Sequence, residues 1–385
     1  MKVKVVLDGL FTKNNAKPAS NNMGYAFFKR YLVYFESVEV VARVFDIEDE
    51  TASQVAGDRV TFTSLPGYQG PIGFLKNSLR ILKTIVTESI SNNHIYILRL
   101  PATLPMLTGL IRMCLRKPYS VELVGDPYDA YSSESLRVVG SKMYQTLFTG
   151  LTRKLCKNAT SCAYVTKDAL QRKYPSQEMH SYTSLELDEK YFIHKPRFIE
   201  TENHSPKIVM VAMMQNYYKG HDLAISGFKE MIKVLPNSKL TFVGSGPLED
   251  ELKQLVLDSG LSNSIEFYGK ASSGDEVFRL LDMSDILLLP SRQEGLPRVV
   301  IEAMSRGLPC VCSDAGGTAE LVQGDQLLKM PLSADDISNA LLKLCQLPEA
   351  YNLSSEVNRR NSMDYSSTIT KKARLAFYVS SAKEL

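Results

Sequence analysis

The sequence predicts an α/β protein built from two parallel-sheet domains. Three observations lead there. Short β-rich runs alternate with amphipathic helical patterns along the whole chain. The alternation restarts after a polar stretch near the middle. Every glycine-rich or charged motif of the second half falls at the end of a strand, where ligands of open α/β sheets bind. A length of 385 residues suits two domains of ordinary size.

The elements follow in order. KVKVVLD (2–8) reads as the first strand, and VEVVARV (38–44), HIYILRL (94–100), YSVELVG (119–125) and SCAYVT (161–166) as later ones. Between them, IGFLKNSLRILKTIVTESI (72–90) has the period of an amphipathic helix. Such strands, apolar on both faces, belong in parallel sheets covered on both sides. The stretch 191–205 turns polar and reads as a linker. PKIVMVAMM (206–214) opens the second series. A helix over 221–234 follows, then strands KLTFVGSGP (239–247), SIEFYG (264–269), SDILLLP (284–290) and LPCVCSD (308–314). The expected division is therefore 1–190, a linker 191–205, a second domain 206–361 and a C-terminal segment 362–385, with a cleft between the domains.

Composition narrows the class. The chain is 44% hydrophobic and 23% charged, as in a soluble globular protein. The N-terminal MKVKVVLDGL is not a secretory signal, because its apolar run stops at Asp8. No window is long and apolar enough to span a bilayer. The six cysteines do not cluster with histidines, so no metal site is expected, and buried thiols fit a reducing cytoplasm. Net charge is uneven: residues 1–190 carry +6 and the rest −3. The basic half suits an anionic partner, such as a membrane surface or a charged acceptor, or is an excess spread over a solvated surface. No nucleic acid is expected among the partners.

Three strand-end motifs carry the chemistry. In MMQNYYKGHD (213–222), Lys219 stands before a helix N-terminus, a mobile cation beside unpaired N–H groups that suits a phosphate. In VGSGP (243–247), Gly244 and Gly246 permit close backbone approach, and Pro247 suits a first helical turn. The third glycine of a dinucleotide fingerprint is absent, which discounts a nicotinamide site. In EGLPRVVIE (294–302), Glu294 and Gly295 lie in a loop, Leu296 leads to Pro297 as the expected first helical residue, and Glu302 lies about 7.5 Å further along the axis. Two carboxylates flanking a helix N-terminus match hydroxyls, diphosphate, hydroxyls, which is the order of groups in a nucleotide-sugar. The plain alternative is an Arg298–Glu302 pair on a wet helix face, with Glu294 a solvated loop residue. Gly316-Gly317, after the strand at 308–313, is expected to let backbone approach the same ligand.

Together these residues resemble glycosyltransferase family 4. EGLPRVVIEAMSRGLPCVCSDAGGTAEL carries Glu, seven residues, Glu, then Ala-Met, Gly-x-Pro and Gly-Gly-x-x-Glu-Leu. VAMMQNYYKGHD and VGSGP match the other two donor-site segments, and the likeness runs over about residues 205–330. It implies a GT-B fold, two Rossmann-like doubly wound domains facing across a cleft, with the C-terminal helix returning to the N-domain. It implies a retaining, metal-independent hexosyl transfer from a UDP- or GDP-linked sugar, with no cofactor beyond that donor substrate. The acceptor would be a glycan or lipid-linked glycan of capsule, exopolysaccharide or O-antigen assembly.

By the family pattern, Glu294 would hold the sugar hydroxyls, the backbone of Gly295, Leu296 and Pro297 the diphosphate and sugar, Glu302 the ribose, and Lys219 a phosphate. Many members carry an arginine where Met213 stands, and Arg292 or Arg298 would have to replace it. Many also carry a histidine after an N-domain strand; in VELVGDPYDAY the positional candidate is Asp126, whose alternative role is a turn residue before Pro127. Helical segments 72–90 and 103–117 have the mixed apolar and cationic pattern of helices on anionic lipid, or of helices packed on their sheet with a wet edge. If they lie on lipid, the cytoplasmic location expected from the cysteines would be peripheral, on the inner face of the cell membrane. Two other classes remain: a nucleotide-sugar epimerase of the same architecture, and a non-catalytic nucleotide-sugar binder.

Overall fold

The computed structural model describes residues 1–383 apart from Leu10, Asn22, Gln69, Asn92, residues 131–140, Asn203 and Ser273. Two compact units divide the chain. One holds Met1–Tyr128, Met143–Tyr182 and Lys372–Leu385; the other holds Asp129–Lys142 and Thr183–Lys371.

The strands of the first unit are β1 (Lys2–Val6), β2 (Phe11–Asn14), β3 (Lys17–Ser20), β4 (Ser37–Glu48), β5 (Ser53–Gln54), β6 (Val60–Pro66), β7 (Ile95–Leu100), β8 (Ser120–Leu123), β9 (Cys162–Tyr164) and β10 (Met179–Ser181). They form one sheet in the order β10-β9-β8-β7-β1-β4-β2-β3-β5, with β6 also on β4. From β10 to β4, and in β4–β6, every pairing is parallel. Val3 and Val5 face one apolar cluster and Val6 the other, so both sheet faces are buried. That is why β1, β7 and β8 read as continuous apolar runs. The small strands β2, β3 and β5 extend the sheet beyond β4 and are too short and polar to carry that signal. Between β2 and β3, Asn15 and Ala16 both take positive φ (49° and 60°), the backbone of a two-residue hairpin turn.

The helices are α1 (Tyr25–Lys29), α2 (Gly70–Ile90), α3 (Thr103–Cys114), α4 (Pro127–Ala130), α5 (Ser141–Asn158) and α6 (Ala169–Lys173), then α7 (His221–Met231), α8 (Glu249–Asp258), α9 (Gly274–Asp282), α10 (Arg298–Ser305), α11 (Ala334–Gln346), α12 (Pro348–Ser362) and α13 (Ser367–Ser381). Near its end α13 joins the first unit, where Tyr378 stacks on Tyr31 at 5.2 Å.

The second unit carries β11 (Lys207–Val211), β12 (Lys239–Val243), β13 (Ile265–Gly269), β14 (Ile286–Leu289), β15 (Cys310–Ser313) and β16 (Leu327–Leu328). All pair in parallel, in the order β13-β12-β11-β14-β15-β16. Numbered within the unit, that order is 3-2-1-4-5-6, the doubly wound arrangement. The order in which successive strands are added reverses between β11 and β14. Such a switch point is where ligands of doubly wound sheets bind, at the carboxyl ends of the strands.

The polar stretch at 191–205 is bonded into this unit. Arg197 donates its backbone N–H to Ser355 Oγ (2.7 Å), Nε to Arg306 O (2.8 Å) and Nη2 to Leu281 O (2.9 Å). Two helix starts differ from expectation. Pro297 is extended (φ −70°, ψ 107°) and caps α10, which begins at Arg298. Pro247 lies in a turn, and α8 begins at Glu249. In both places the fixed proline φ is compatible with a residue just outside the helix as well as just inside it.

Candidate active site

The loop after β11 and the loop after β14 meet at the switch point. The first turns through a short 3-10 segment, Tyr217–Lys219, into α7. The second runs from Pro290 to Pro297. Lys219 Nζ donates to Glu294 Oε1 at 2.7 Å. The pair is largely sheltered, with side chains 18% and 6% exposed. These residues are 75 apart in sequence, and only the strand order brings them together.

Arg292 fixes this geometry. It donates Nη1 and Nη2 to the two carboxylate oxygens of Asp222, both at 2.8 Å, and Nη1 to Tyr217 O at 2.7 Å. Its backbone N–H donates to Tyr218 O at 2.7 Å. A bidentate Arg–Asp pair on a backbone clamp makes Arg292 the brace of the Lys219 loop. In this structure Arg292 is turned to Asp222 and Tyr217 and does not line the pocket beside Met213.

Lys219, Glu294, Leu296, Pro297, Arg298, Glu302 and Gly244 all line one pocket of about 460 Å³. Arg298 is exposed at its rim and Glu302 is half-buried. Burial pushes the Glu302 carboxyl above its usual range, and Arg298, one turn earlier, partly opposes that. Pro297 at the N-terminal end of α10 makes no side-chain cap, so among the described residues the outward N–H groups there are open to an anion. The arrangement therefore places a cation, an uncapped helix end and two carboxylates around one cavity.

The expected glycines act differently from one another. A Cβ at Gly316 (φ +57°) would lie 2.0 Å from Glu294 O, and Gly317 N–H donates to Gly295 O at 2.7 Å. The Gly316-Gly317 turn was expected to meet a ligand; it meets the Glu294–Gly295 backbone and holds that loop in place. Gly295 is thus a braced loop residue absent from the pocket lining. At the other loop, Cβ atoms on Gly244 and Gly246 would lie 2.0 Å from Ala212 O and 2.4 Å from Met214 O. Gly244 lines the pocket, whereas the close approach at Gly246 is to the backbone of Met214 in the neighbouring loop.

Asp126 receives a different assignment from the catalytic one. It is 3% exposed and belongs to the first unit. Its Oδ2 accepts from Lys173 Nζ at 2.6 Å; its Oδ1 accepts from Tyr174 Oη at 2.5 Å and from Tyr128 N–H at 2.9 Å. Both oxygens are spent on protein donors, so it is the turn residue before Pro127 that opens α4.

Several pocket residues were not singled out in the sequence. Lys270, Ala271, Val277 and Tyr218 are among the pocket lining. Lys270 had a signal, since it directly follows β13 and so stands at a strand end. Lys219 Nζ sits 4.9 Å from the Tyr218 ring centroid, a contact that no sequence spacing announces.

Comparison with known proteins follows. Residues 193–361 match the family model described as Glycosyl transferases group 1. Protein CapJ of Staphylococcus aureus is 27% identical over 313 residues, which is 80% of this chain and 78% of that protein. Among solved structures, the lipopolysaccharide outer core galactosyltransferase WaaB superposes with a TM-score of 0.67 at 13% identity, covering 99% of each chain. Anabaena HepE in complex with UDP and glucose superposes at 0.65 with 15% identity, again over 99% of both. The structural matches show the fold, and the α/β class and GT-B plan expected from the sequence hold.

Proposed function

We propose, from the match of residues 193–361 to the glycosyl transferases group 1 model, that this chain moves a sugar from a nucleotide-diphosphate sugar to a hydroxyl of a glycan or lipid-linked glycan. The observation that carries this reading is the Lys219–Glu294 pair at the switch point, 2.7 Å apart, sharing its pocket with Glu302 and an uncapped helix end. Glu294 holds the sugar hydroxyls and Glu302 the ribose hydroxyls. The N-terminal end of α10 holds the diphosphate. Lys219 leaves Glu294 for the phosphate, where it stabilises the charge that develops as the diphosphate departs. Anomeric configuration is retained through front-face attack, with the acceptor proton passing to the leaving phosphate and no metal required.

The donor is UDP- or GDP-linked, and the UDP and glucose held by HepE on the same fold favour uridine. An acceptor in surface-polysaccharide assembly agrees with the role printed for WaaB. A working place in the cytoplasm, at the inner membrane face, goes with that acceptor. The domains that divide this labour are 1–190 for the acceptor and 206–361 for the donor.

The test is a thermal-shift screen of nucleoside diphosphates and nucleotide-sugars on wild type and Glu302→Ala. Binding to the native state raises apparent stability by mass action. A shift with one uridine or guanosine nucleotide, lost in the variant, is expected. A shift equal in both proteins would remove Glu302 from the donor site. Conversion of that donor to an epimer without any acceptor would replace transfer with isomerisation.

A further inference from the structure

Lys219 is held from two sides. Its ammonium donates to Glu294 Oε1 at 2.7 Å and lies 4.9 Å from the centre of the Tyr218 ring. Among the described residues, Glu294 is the one carboxylate within ion-pair distance of it. The face of an aromatic ring attracts a cation through its quadrupole. Lysine carries its charge on a flexible aliphatic stem, so the groups around the ammonium decide where it points.

The backbone of Tyr218 is fixed on both sides of its ring. Its N–H donates to Asn216 Oδ1 at 3.0 Å, and its carbonyl accepts from the N–H of Arg292 at 2.7 Å. Arg292 is in turn locked to Asp222 and to Tyr217 O. One residue earlier, the Tyr217 hydroxyl donates to Glu251. The Tyr218 hydroxyl, by contrast, has no hydrogen-bond partner among the described residues. Tyr218 lines the same pocket as Lys219, Glu294 and Glu302, and what it offers Lys219 there is the ring rather than the oxygen.

We propose that Tyr218 is a positioning residue, whose ring keeps the Lys219 ammonium at the phosphate subsite once donor binding draws Glu294 away. This role rests on the reading of the pocket as a donor site. In the free protein the ion pair and the ring act together. When sugar hydroxyls take the Glu294 oxygens, the ion pair is lost. The ring contact stays, because it needs no proton acceptor. The ammonium then has its N–H groups for phosphate oxygens, and its charge meets the negative charge that builds on the leaving group. Without the ring the lysine would follow Glu294 or turn to solvent.

Titration calorimetry of the full chain with UDP and with GDP tests this. Tyr218→Leu removes the ring and keeps apolar bulk; Tyr218→Phe keeps the ring. The leucine variant is expected to bind the diphosphate about 3- to 10-fold more weakly, and the phenylalanine variant to bind as wild type does. In a Lys219→Met background the leucine change should have no further effect, because Tyr218 acts through the ammonium. A second readout needs no nucleotide. In the free protein the ring current should move the Lys219 ε-methylene protons upfield in wild type and in Tyr218→Phe, and leave them at their ordinary position in Tyr218→Leu. Equal binding by wild type and the leucine variant overturns the proposal and leaves the donor reading standing. So does an undiminished loss in the Lys219→Met background, a loss in Tyr218→Phe as large as in Tyr218→Leu, or an unshifted Lys219 resonance in wild type. Wild type that binds neither UDP nor GDP overturns the donor reading, and this role with it.

Discussion

Glu294 is positioned to serve two partners in turn. In the free protein it binds Lys219, and with donor present the same oxygens are wanted by sugar hydroxyls and the same ammonium by phosphate. Glu294→Gln frees the ammonium. We expect nucleoside diphosphate affinity to stay equal or rise a few-fold, while transfer falls about 10- to 100-fold for one lost charge-assisted bond. Titration calorimetry beside initial rates separates the two effects, and parallel losses in both would show that Glu294 merely shapes the pocket. Glu302 makes the opposite trade. Its raised carboxyl pKa means that the ionised form costs stability in the fold at neutral pH. Glu302→Gln should melt higher than wild type without ligand, yet respond less to donor. An unchanged or lower melting temperature would contradict that account. Both glutamates were legible in the sequence from their flanks of glycine, proline and helix-forming residues. Asp126 misled because its position after a strand is visible in sequence, whereas Lys173 and Tyr174, which occupy its oxygens, come from another element.

Loops at this site are shaped by close backbone approach more than by side chains. Gly316 and Gly324 share a left-handed conformation, φ +57° and +69°, but only Gly316 has a neighbour in the way. Gly324→Ala should cost about 1–2 kcal/mol of conformational strain and leave donor binding intact. Gly316→Ala adds a clash with Glu294 O, so it should cost more and also weaken donor affinity. Equal donor affinity in the two variants would show that the brace is unnecessary. At the start of α7, His221 is 1% exposed against Phe242, and burial depresses its pKa from 6.5 to about 4. Between those values the unfolded chain binds the proton more readily than the folded one. The contribution is therefore full above about pH 6.5 and shrinks as pH falls toward 4, by on the order of 3 kcal/mol. His221→Asn should flatten that part of the curve of melting temperature against pH; an unchanged slope would assign it to other groups. The strands were legible wherever both faces are buried, as in β1 and β11. The short strands β2, β3 and β5 were not, because they bury at most two residues each, such as Phe11 or Ala19, too few to leave a hydrophobic pattern.

The first unit is completed by the far end of the chain. Phe377 is fully buried, its ring 5.8 Å from that of His180 and 6.0 Å from that of Tyr182, and the adjacent Tyr378 stacks on Tyr31. Phe377→Ala should cost about 3–5 kcal/mol. The loss should appear in hydrogen exchange of β1 and β4 before that of β11 and β14, and uniform loss across both sheets would mean the units do not unfold separately. The sequence by itself determined the α/β class, the restart of the strand series, and the presence of two carboxylates around a helix start, because each is written in local spacing and periodicity. Only the tertiary structure decided that Lys219 faces Glu294, that Arg292 is a brace, and that the glycine pair supports a loop. Those contacts join segments tens of residues apart, and the order of strands across the sheet, which no local pattern encodes, chooses which loops meet.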